Sequence, residues 1–550
     1  MSQNITRRNL VKGTALAGAA AAINAMPVFA AEGEAFDDEY DVVVVGMGGA
    51  GMNAAVAAYE EGAKVLIVEK APEDAIGGNT YYSGQAVLST DDADAFNTYL
   101  VGLMGEYKNY DPECLRAYAE GAAGNWNWLV DVIGMNPEEA CPTEYVKGMW
   151  GGESTWHWYD DAWGSGRGGL IAWWNEFPEL EGSDHSYVIM MDSRAFNSKY
   201  YLTLKAAVDA RLGENLTVWR GAPARKFILS EDGAVVGVVV EKDGELVKVG
   251  AKGGVCMCCG GFEANPTMAA SFCQIPYMYA RAGVGNEGDG IYMCQAIGAQ
   301  LWHMSNLSGL GYGYHMPGTN SATSVSISRK GILVGPAGGR FVNEAASSRH
   351  GRIKQGGGWI IPPMPMPAFA VVDADQIASP LVSGFSDGNA DEIADGTVYS
   401  GDTLEELAEK IRVRAPQFNL NGEFVDAVNN YNAHVDAEEV DDFGRKCTVP
   451  VKTPPFYAIE ICPALSFNTQ GGPRHSAKGE ILDTHAMPIP GLFAGGEFGS
   501  IFPDMYNGGG NLGETCIFGR IAGRNAGLRA KGEFEPTTEP CKLQFELEMM

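Results

Sequence analysis

The sequence is poor in basic residues and in long apolar runs. Its 550 residues include 39 lysines and arginines against 69 aspartates and glutamates, so the formal net charge is -30. Nucleic-acid binding needs a basic surface, and this balance argues against that function. Beyond the first 31 residues, no stretch reaches the ~18 uninterrupted apolar residues that a membrane-spanning helix requires. We therefore expect a mature protein that does not span a membrane.

Two cofactor signals are also missing. There is no C-x-x-C-H motif, so no covalently attached haem is expected, and no second nucleotide fingerprint offers a nicotinamide site. The 11 cysteines are an odd number and do not look like a disulfide framework. Their one cluster, Cys256-Met-Cys-Cys259, is interpreted as a buried strand. An iron–sulfur ligand set is the alternative, and we predict no metal site.

What is present predicts a globular protein with a dinucleotide site. The apolar fraction of 45% and the length predict a large core in more than one domain. An apolar run at 42–45 precedes Gly46, Gly48 and Gly51, which have the spacing that lets a backbone approach a pyrophosphate at a helix N-terminus. A second apolar strand ends at Glu69, where a ribose hydroxyl needs an acceptor.

Three more glycine-rich stretches follow, at 77–84, 491–497 and 506–514. Together with the first, they resemble the FAD-dependent oxidoreductase 2 family of flavoprotein fumarate reductases, urocanate reductase and 3-ketosteroid dehydrogenases. The resemblance covers about residues 38–527. It implies FAD as cofactor and an α/β fold, in which a Rossmann-type FAD-binding domain is interrupted by an α+β capping domain. An acid matching Glu497 holds the ribityl chain in this family.

The predicted cofactor-binding residues lie in these glycine-rich stretches and at two strand ends. They are Gly46, Gly48, Gly49, Ala50, Gly51, Glu69, Lys70, Gly77, Gly78, Asn79, Thr80, Ser83, Gly84, Gly260, Gly261, Glu497, Asn511 and Leu512.

The family pattern also predicts the domain limits. We expect a signal peptide at 1–31, the two parts of the FAD-binding domain at 38–261 and 455–530, the capping domain at 262–454 and a peripheral tail at 531–550. Within the first part, residues 126–174 are rich in aromatics. Glycines favour a loop for the later part of that segment, which either caps the core or forms an apolar wall over the flavin or a flat substrate.

Two polar groups of the fumarate reductase site are missing. Those enzymes carry the motif Asn-Arg-Leu-Gly-Gly-Asn, and the matching residues 507–511 of this chain contain no arginine. They also carry His-Thr-Met-Gly-Gly, where this chain has Asn468 in place of the histidine. A dicarboxylate would leave buried charges unpaired, at a cost of several kcal/mol.

The remaining pattern is closest to that of the 3-ketosteroid dehydrogenases. Tyr506 followed by Gly510 resembles their Tyr-x-x-x-Gly signature, in which the hydroxyl and the glycine N–H bind the ketone oxygen. Alternatively, Tyr506 only packs by the flavin and Gly510 only shapes the loop. Tyr312 and Tyr314 are candidate proton donors. Arg349 is a candidate for binding a monocarboxylate, or else a surface charge.

These residues predict an FAD-dependent enzyme acting on a C=C bond conjugated to a carbonyl. The favoured substrate class is an enone or a 3-ketosteroid-like compound. Reduction of an α,β-unsaturated carboxylate, of fumarate, urocanate or aryl-acrylate type, is second, and a non-catalytic electron-shuttling flavoprotein is a further alternative. Arg7 and Arg8 before an Ala-rich stretch form a twin-arginine export pattern. We therefore expect a periplasmic, cell-surface or extracellular reductase in anaerobic respiration. Its electrons would come from a cytochrome, a quinol-linked protein or a small donor.

Overall fold

The computed structural model describes residues 27–29, 35–72, 78–140, 156–159, 169–173, 176–193, 198–281, 283, 285–319, 321–326 and 331–550. The chain forms two compact units. The first contains the described residues of Met1–Thr267, Gly285–Asn306 and Asn468–Met550, and the second those of Met268–Val284 and Leu307–Phe467. Residues 285–306 fell inside the predicted capping domain. They belong to the first unit, where the Trp302 indole donates to Gly499 O at 3.1 Å.

The first unit is built on a nine-stranded sheet. The strand Asp38–Val45 lies within it, parallel to Val65–Glu69 on one side and to Glu245–Met257 on the other. Its valines at 42–44 are fully buried, as expected for a β-branched run covered on both faces. The other strands are Val28–Phe29, Leu216–Arg220, Ala224–Leu229, Val235–Lys242, Glu480–Leu482 and Pro488–Ala494.

Two helices pack closely beside this sheet. Helix Gly49–Glu60 contacts helix Gly510–Lys531, which we call the C-terminal helix. A Cβ at Gly519 would lie 2.6 Å from Ala50 O, and one at Gly523 would lie 1.9 Å from Ala54 O. Glycines four residues apart share one face of a helix, so their missing side chains let the two backbones meet. This contact fixes the first helix at the turn of the nucleotide motif.

A four-stranded antiparallel sheet completes the first unit, with strands Ala86–Ser89, Tyr187–Met190, Gly169–Trp173 and Trp156–Tyr159. The last two fall in the aromatic segment and pair with each other, so the expectation of a loop was wrong there. Most of that segment lies outside the described residues. The unit's other elements are Asn79–Tyr82, Ala93–Met104, Pro112–Ala123, Asn125–Asn127, Trp128–Val132, Pro137–Ala140, Ser183–His185, Lys199–Asp209, Asp289–Gln295, Leu301–Trp302, Gly472–Pro473 and Gln544–Glu548.

The second unit is α+β. Its seven-stranded sheet contains Tyr279–Ala280, Leu307–His315, Ala322–Ser324, Ile332–Val334, Ala368–Asp373, Val398–Gly401 and Phe456–Thr469, the last running across the unit boundary. A three-stranded sheet contains Ser348–Arg349, Arg352–Gln355 and Gly358–Ile360. Among the described residues, its α-helices are Ala390–Ala394, Leu404–Ile411 and Glu423–Ala437, Asp387–Asn389 is a 3₁₀ helix, and Pro266–Phe272 crosses the boundary.

The tail at 531–550 is attached to the first unit by backbone hydrogen bonds. Gln544 N donates to Tyr110 O at 2.9 Å, and Cys541 N donates to Ala486 O at 3.0 Å. Among the residues that the structure describes, no helix is both long and apolar enough to cross a bilayer.

Candidate active site

The turn after strand Asp38–Val45 gives its three glycines different tasks. A Cβ at Gly46, where φ is +101°, would lie 2.4 Å from Cys258 O, and a Cβ at Gly51 would lie 1.9 Å from Gly46 O. These two glycines are therefore required by the fold itself. A Cβ at Gly48 would meet no protein atom within 4 Å. The protein alone has room for a side chain at position 48. A glycine there fits the close approach of a bound group to the backbone.

The helix that begins at this turn has backbone N–H groups at its N-terminus that lack intrahelical partners. Gly48 at its N-cap position has no side chain to cap it, and its first turn contains no acidic residue. Gly49 N donates to Thr80 Oγ1 at 3.1 Å, and Ala50 packs against the C-terminal helix. Backbone N–H groups at a helix N-terminus attract anions. The turn is thus suited to the pyrophosphate of a dinucleotide.

The predicted ribose acceptor, Glu69, ends strand Val65–Glu69 and is 9% exposed. It accepts from Met47 N at 2.7 Å and from Ala71 N at 2.8 Å, so the carboxylate is held beside the glycine turn. Each oxygen retains a second lone pair for a ribose hydroxyl. Lys70, also predicted to bind the cofactor, forms ion pairs with Asp289 at 2.6 Å and Glu287 at 3.0 Å.

The predicted segment at 77–84 is described from Gly78 onward, and Gly77 lies outside the described residues. Thr80 O accepts from Ser83 Oγ at 2.8 Å and from Gln85 Nε2 at 2.6 Å, so Thr80 and Ser83 hold the loop in shape. Gly84 is exposed, and no protein atom would meet a Cβ there. The buried Oδ1 of Asn79 has no protein partner in the described residues.

Asn79 belongs to a group of four side chains that we call the carboxyl–amide cluster: Asn79, Glu263, Asn286 and Glu497. Glu263 and Asn286 are buried, and the other two are partly buried. Asn79 Nδ2 donates to Glu263 Oε1 at 2.7 Å and to Glu497 Oε1 at 3.0 Å. Asn286 Nδ2 donates to the same two oxygens at 2.7 and 3.1 Å. Burial raises the pKa of both glutamates, and the neighbouring Glu263 charge raises the pKa of Glu497 further.

Sequence reasoning found Asn79 and Glu497 but missed the other two members of the cluster. The available signal was an acid, Glu263, six residues after the end of the strand Glu245–Met257. Gly260 and Gly261, predicted to bind FAD, are needed by this cluster. A Cβ at Gly260 would lie 2.8 Å from Asn286 Oδ1, and one at Gly261 would lie 2.1 Å from Thr469 Oγ1.

The start of the C-terminal helix carries a chain of neutral amides. Gln470 Nε2 donates to Asn511 Oδ1 at 3.3 Å, and Asn511 Nδ2 donates to Asn468 Oδ1 at 2.8 Å. Gln470 Oε1 is buried and has no protein partner in the described part of the chain. Leu512 is buried beside them, in a first turn whose N-terminus no side chain caps. The positions where the fumarate reductase motifs have charged groups are therefore occupied by neutral ones.

Tyr506 is 4% exposed and packs its ring against Phe502, with centroids 5.7 Å apart. A Cβ at Gly510 would lie 2.9 Å from the Tyr506 ring, so the glycine makes room for the tyrosine. The predicted second donor is engaged, because Gly510 N donates to Asn507 O at 2.9 Å. The structure thus corrects the role assigned to Gly510: it positions the Tyr506 ring. The ketone-binding role of Tyr506 stays a prediction.

The three other predicted catalytic residues lie in the second unit. The Tyr312 hydroxyl donates to Pro363 O at 3.0 Å, and burial raises its pKa, so its proton is committed to a carbonyl. The Tyr314 ring packs edge-on against Phe385 at 5.2 Å. The Arg349 guanidinium lies over the Trp359 ring at 4.7 Å. The hydrogen bond from Tyr312 to Pro363 O argues against Tyr312 as the proton donor.

A further buried acid lies on the C-terminal helix. Glu514 accepts from Ile501 N and from Ser500 Oγ, each at 2.8 Å, and burial raises its pKa to about 8. The carboxyl is therefore protonated in the folded protein at pH values where the unfolded chain is ionised. Folding takes up a proton, so this group lowers stability as pH rises from about 4.5 to about 8.

This dependence of stability on pH predicts the behaviour of the Glu514→Gln variant. The amide keeps the volume and one acceptor but does not titrate. The free energy of unfolding of the variant, relative to wild type, should rise by about 3 kcal/mol between pH 5 and pH 7.5. Urea unfolding at both pH values measures this difference, in which titrations common to both proteins cancel. A difference that does not change with pH would contradict the assignment.

Comparison with known proteins agrees with this geometry. The family model described as "FAD binding domain" matches residues 41–512. An NADH:fumarate oxidoreductase of Klebsiella pneumoniae is 30% identical over 91% of this chain, which spans about half (49%) of that relative's length. A 3-oxosteroid 1-dehydrogenase of Mycolicibacterium smegmatis is 26% identical, covering 88% of this chain and 96% of the relative.

A solved structure shows the same fold. The 3-ketosteroid Δ1-dehydrogenase from Sterolibacterium denitrificans superposes with a TM-score of 0.63 at 19% identity, covering 89% of this chain and 99% of the other.

The fold and the site define a flavoprotein oxidoreductase. The chain belongs to the FAD binding domain family, its cofactor is FAD, and it is an FAD-dependent oxidoreductase. The electron-shuttle alternative is therefore set aside. The open space at Gly48, the helix N-terminus beside it and the buried Asn79 Oδ1 without a partner in the described residues fit this cofactor.

Proposed function

We propose that the protein reduces a carbon–carbon double bond conjugated to a ketone, in an enone or 3-ketosteroid-like substrate. The observation that carries this proposal is the neutral amide chain from Gln470 through Asn511 to Asn468. A ketone presents an uncharged acceptor, so it is compatible with neutral neighbours. A dicarboxylate would require cations there to offset desolvation of its charges. The similarity to a 3-oxosteroid 1-dehydrogenase over almost its full length supports the same substrate class.

In this proposal FAD supplies the hydride chemistry. Tyr506 donates a hydrogen bond to the ketone oxygen, which stabilises the negative charge that develops there when the β-carbon is reduced. Gly510 makes room for the Tyr506 ring, and the Phe502 ring packs beside it. Because these groups are buried, the hydrogen bond forms in a region of low dielectric, where it is stronger than in water.

Reduction of an α,β-unsaturated carboxylate is the second candidate. It is favoured by the 30% identity to an NADH:fumarate oxidoreductase, which exceeds the identity to the steroid enzyme. In that case Arg349, whose guanidinium lies over Trp359, would bind the single carboxylate.

We also propose export by the twin-arginine route and electron supply by a cytochrome, a quinol-linked protein or a small donor. The support for export is the pattern around Arg7 and Arg8. Replacing both arginines by lysine should retain the protein in the cytoplasm, which cell fractionation measures. Release of the variant at the wild-type level would contradict export by this route.

The substrate class is tested by reoxidation of the reduced enzyme under anaerobic conditions, followed by flavin absorbance. The panel contains 3-keto-4-ene steroids, small enones, a vinyl phenol, fumarate, urocanate and cinnamate. We expect fast reoxidation by enones or ketosteroids only. Reoxidation by carboxylates only would establish the second candidate and overturn the first.

A further inference from the structure

The carboxyl–amide cluster contains two acids, and none of their hydrogen-bond partners in the described residues is a cation. Glu263 is fully buried. In the described residues, every donor recorded to either carboxyl is neutral: the side-chain amides of Asn79 and Asn286, the hydroxyl and N–H of Thr469, and Gly261 N. Two ionised carboxylates sharing the same amide donors would repel each other in a medium of low dielectric. The arrangement is therefore stable only when the pair retains a proton.

Glu263 also determines the orientation of Asn79. The Asn79 amide nitrogen donates to both glutamates. Its Oδ1 therefore points elsewhere, and it is buried without a partner among the described residues. A buried carbonyl oxygen without a donor is costly, so this atom is expected to receive one from a bound group. FAD provides O–H donors on its ribityl chain and an N–H donor on its ring.

We propose that Glu263 is a positioning residue for FAD: it shares a proton with Glu497 and fixes the Asn79 amide so that its Oδ1 accepts from a donor of the cofactor. Loss of the shared proton as pH rises places two negative charges on the cluster. They repel, the amide loses its fixed orientation, and the cofactor is held less tightly. The titratable groups that act on the pair are its two members and Glu514 on the C-terminal helix.

The test measures FAD affinity rather than turnover. FAD is removed from the purified full-length enzyme, and its dissociation constant is measured by fluorescence between pH 6 and pH 9. Wild type should bind FAD at least about tenfold more weakly at pH 9 than at pH 6. Glu263→Gln, which has no second charge, should show a flat profile with a dissociation constant within about threefold of wild type at pH 6. Glu263→Ala should bind at least about tenfold more weakly at every pH, because Asn79 loses its partner.

The matched control is Glu480→Gln, another buried glutamate of the first unit, whose recorded partners are Ser476 and Thr537. It should retain the wild-type alkaline loss. An alkaline loss in Glu263→Gln equal to that of wild type, or wild-type affinity in Glu263→Ala, would overturn the proposal. If Glu263→Gln does not fold, the same measurement of FAD affinity between pH 6 and pH 9 on Asn286→Ala tests the proposal. The loss of affinity of this variant should begin at higher pH, because the Asn286 amide that lowers the pKa of Glu263 is gone, and an unchanged profile would overturn the proposal.

Discussion

A Gly48→Ala variant should be folded but nearly free of FAD. The new methyl group would meet no protein atom within 4 Å, and the Gly48 backbone, with φ of -79° and ψ of -170°, is accessible to alanine. The fold should therefore tolerate the change, and the apoprotein should melt within about 2 °C of wild type. The methyl would instead occupy the space through which the pyrophosphate approaches the backbone. We expect FAD affinity to fall at least about 100-fold, measured by fluorescence titration.

Two other glycines provide the controls. Gly358→Ala also adds a methyl group in open space, on a strand of the second unit, and should keep wild-type FAD affinity. Gly51→Ala places a methyl group 1.9 Å from Gly46 O, so it should destabilise the first unit whether or not FAD is present. Wild-type FAD affinity in folded Gly48→Ala would contradict the cofactor placement at this turn.

A Tyr506→Phe variant should retain FAD but lose turnover. Phenylalanine preserves the packing against Phe502 and the fit with Gly510, and removes only the hydroxyl. Loss of one hydrogen-bond donor to a developing oxyanion lowers rates by about 100- to 1,000-fold, and we expect a loss in this range. Reoxidation of the reduced enzyme by an enone measures it, with flavin content determined on the same sample.

The control for this variant is Tyr431→Phe, which removes a buried hydroxyl bonded to Val449 O in the second unit. It should reoxidise within about threefold of wild type, because its loss acts on stability alone. If Tyr506→Phe reoxidises as fast as Tyr431→Phe, Tyr506 does not polarise the ketone, and its burial serves packing only.

The local nucleotide motif was predictable because its signals are local. The apolar run, the glycine spacing and Glu69 specify a strand, a turn and an acceptor, and the structure places Glu69 beside that turn, with Met47 N donating to it. The different tasks of Gly48 and Gly51 were not predictable. They depend on which atoms lie opposite each Cβ, and Gly51 faces Gly46 O only after the turn has closed.

The missed features depend on contacts between distant residues. Glu263 and Asn286 are 23 residues apart and meet Glu497 only in the folded unit, so no spacing rule indicates them. The engaged N–H of Gly510 follows from the turn at 507–510, which the Tyr-x-x-x-Gly pattern does not encode. The strands Trp156–Tyr159 and Gly169–Trp173 were missed because the glycines of this segment favoured a loop more strongly than its aromatic residues favoured a strand.

The most direct test of the proposed function compares two substrates that differ in one group. Benzalacetone and cinnamate share a phenyl ring and a conjugated double bond, but one ends in a methyl ketone and the other in a carboxylate. Stopped-flow reoxidation of the reduced wild-type enzyme should be at least about 100-fold faster with the ketone, because the amide chain at Asn468 offers no charge to a carboxylate. Equal rates, or faster reoxidation by cinnamate, would contradict the assignment of the enzyme to neutral conjugated ketones.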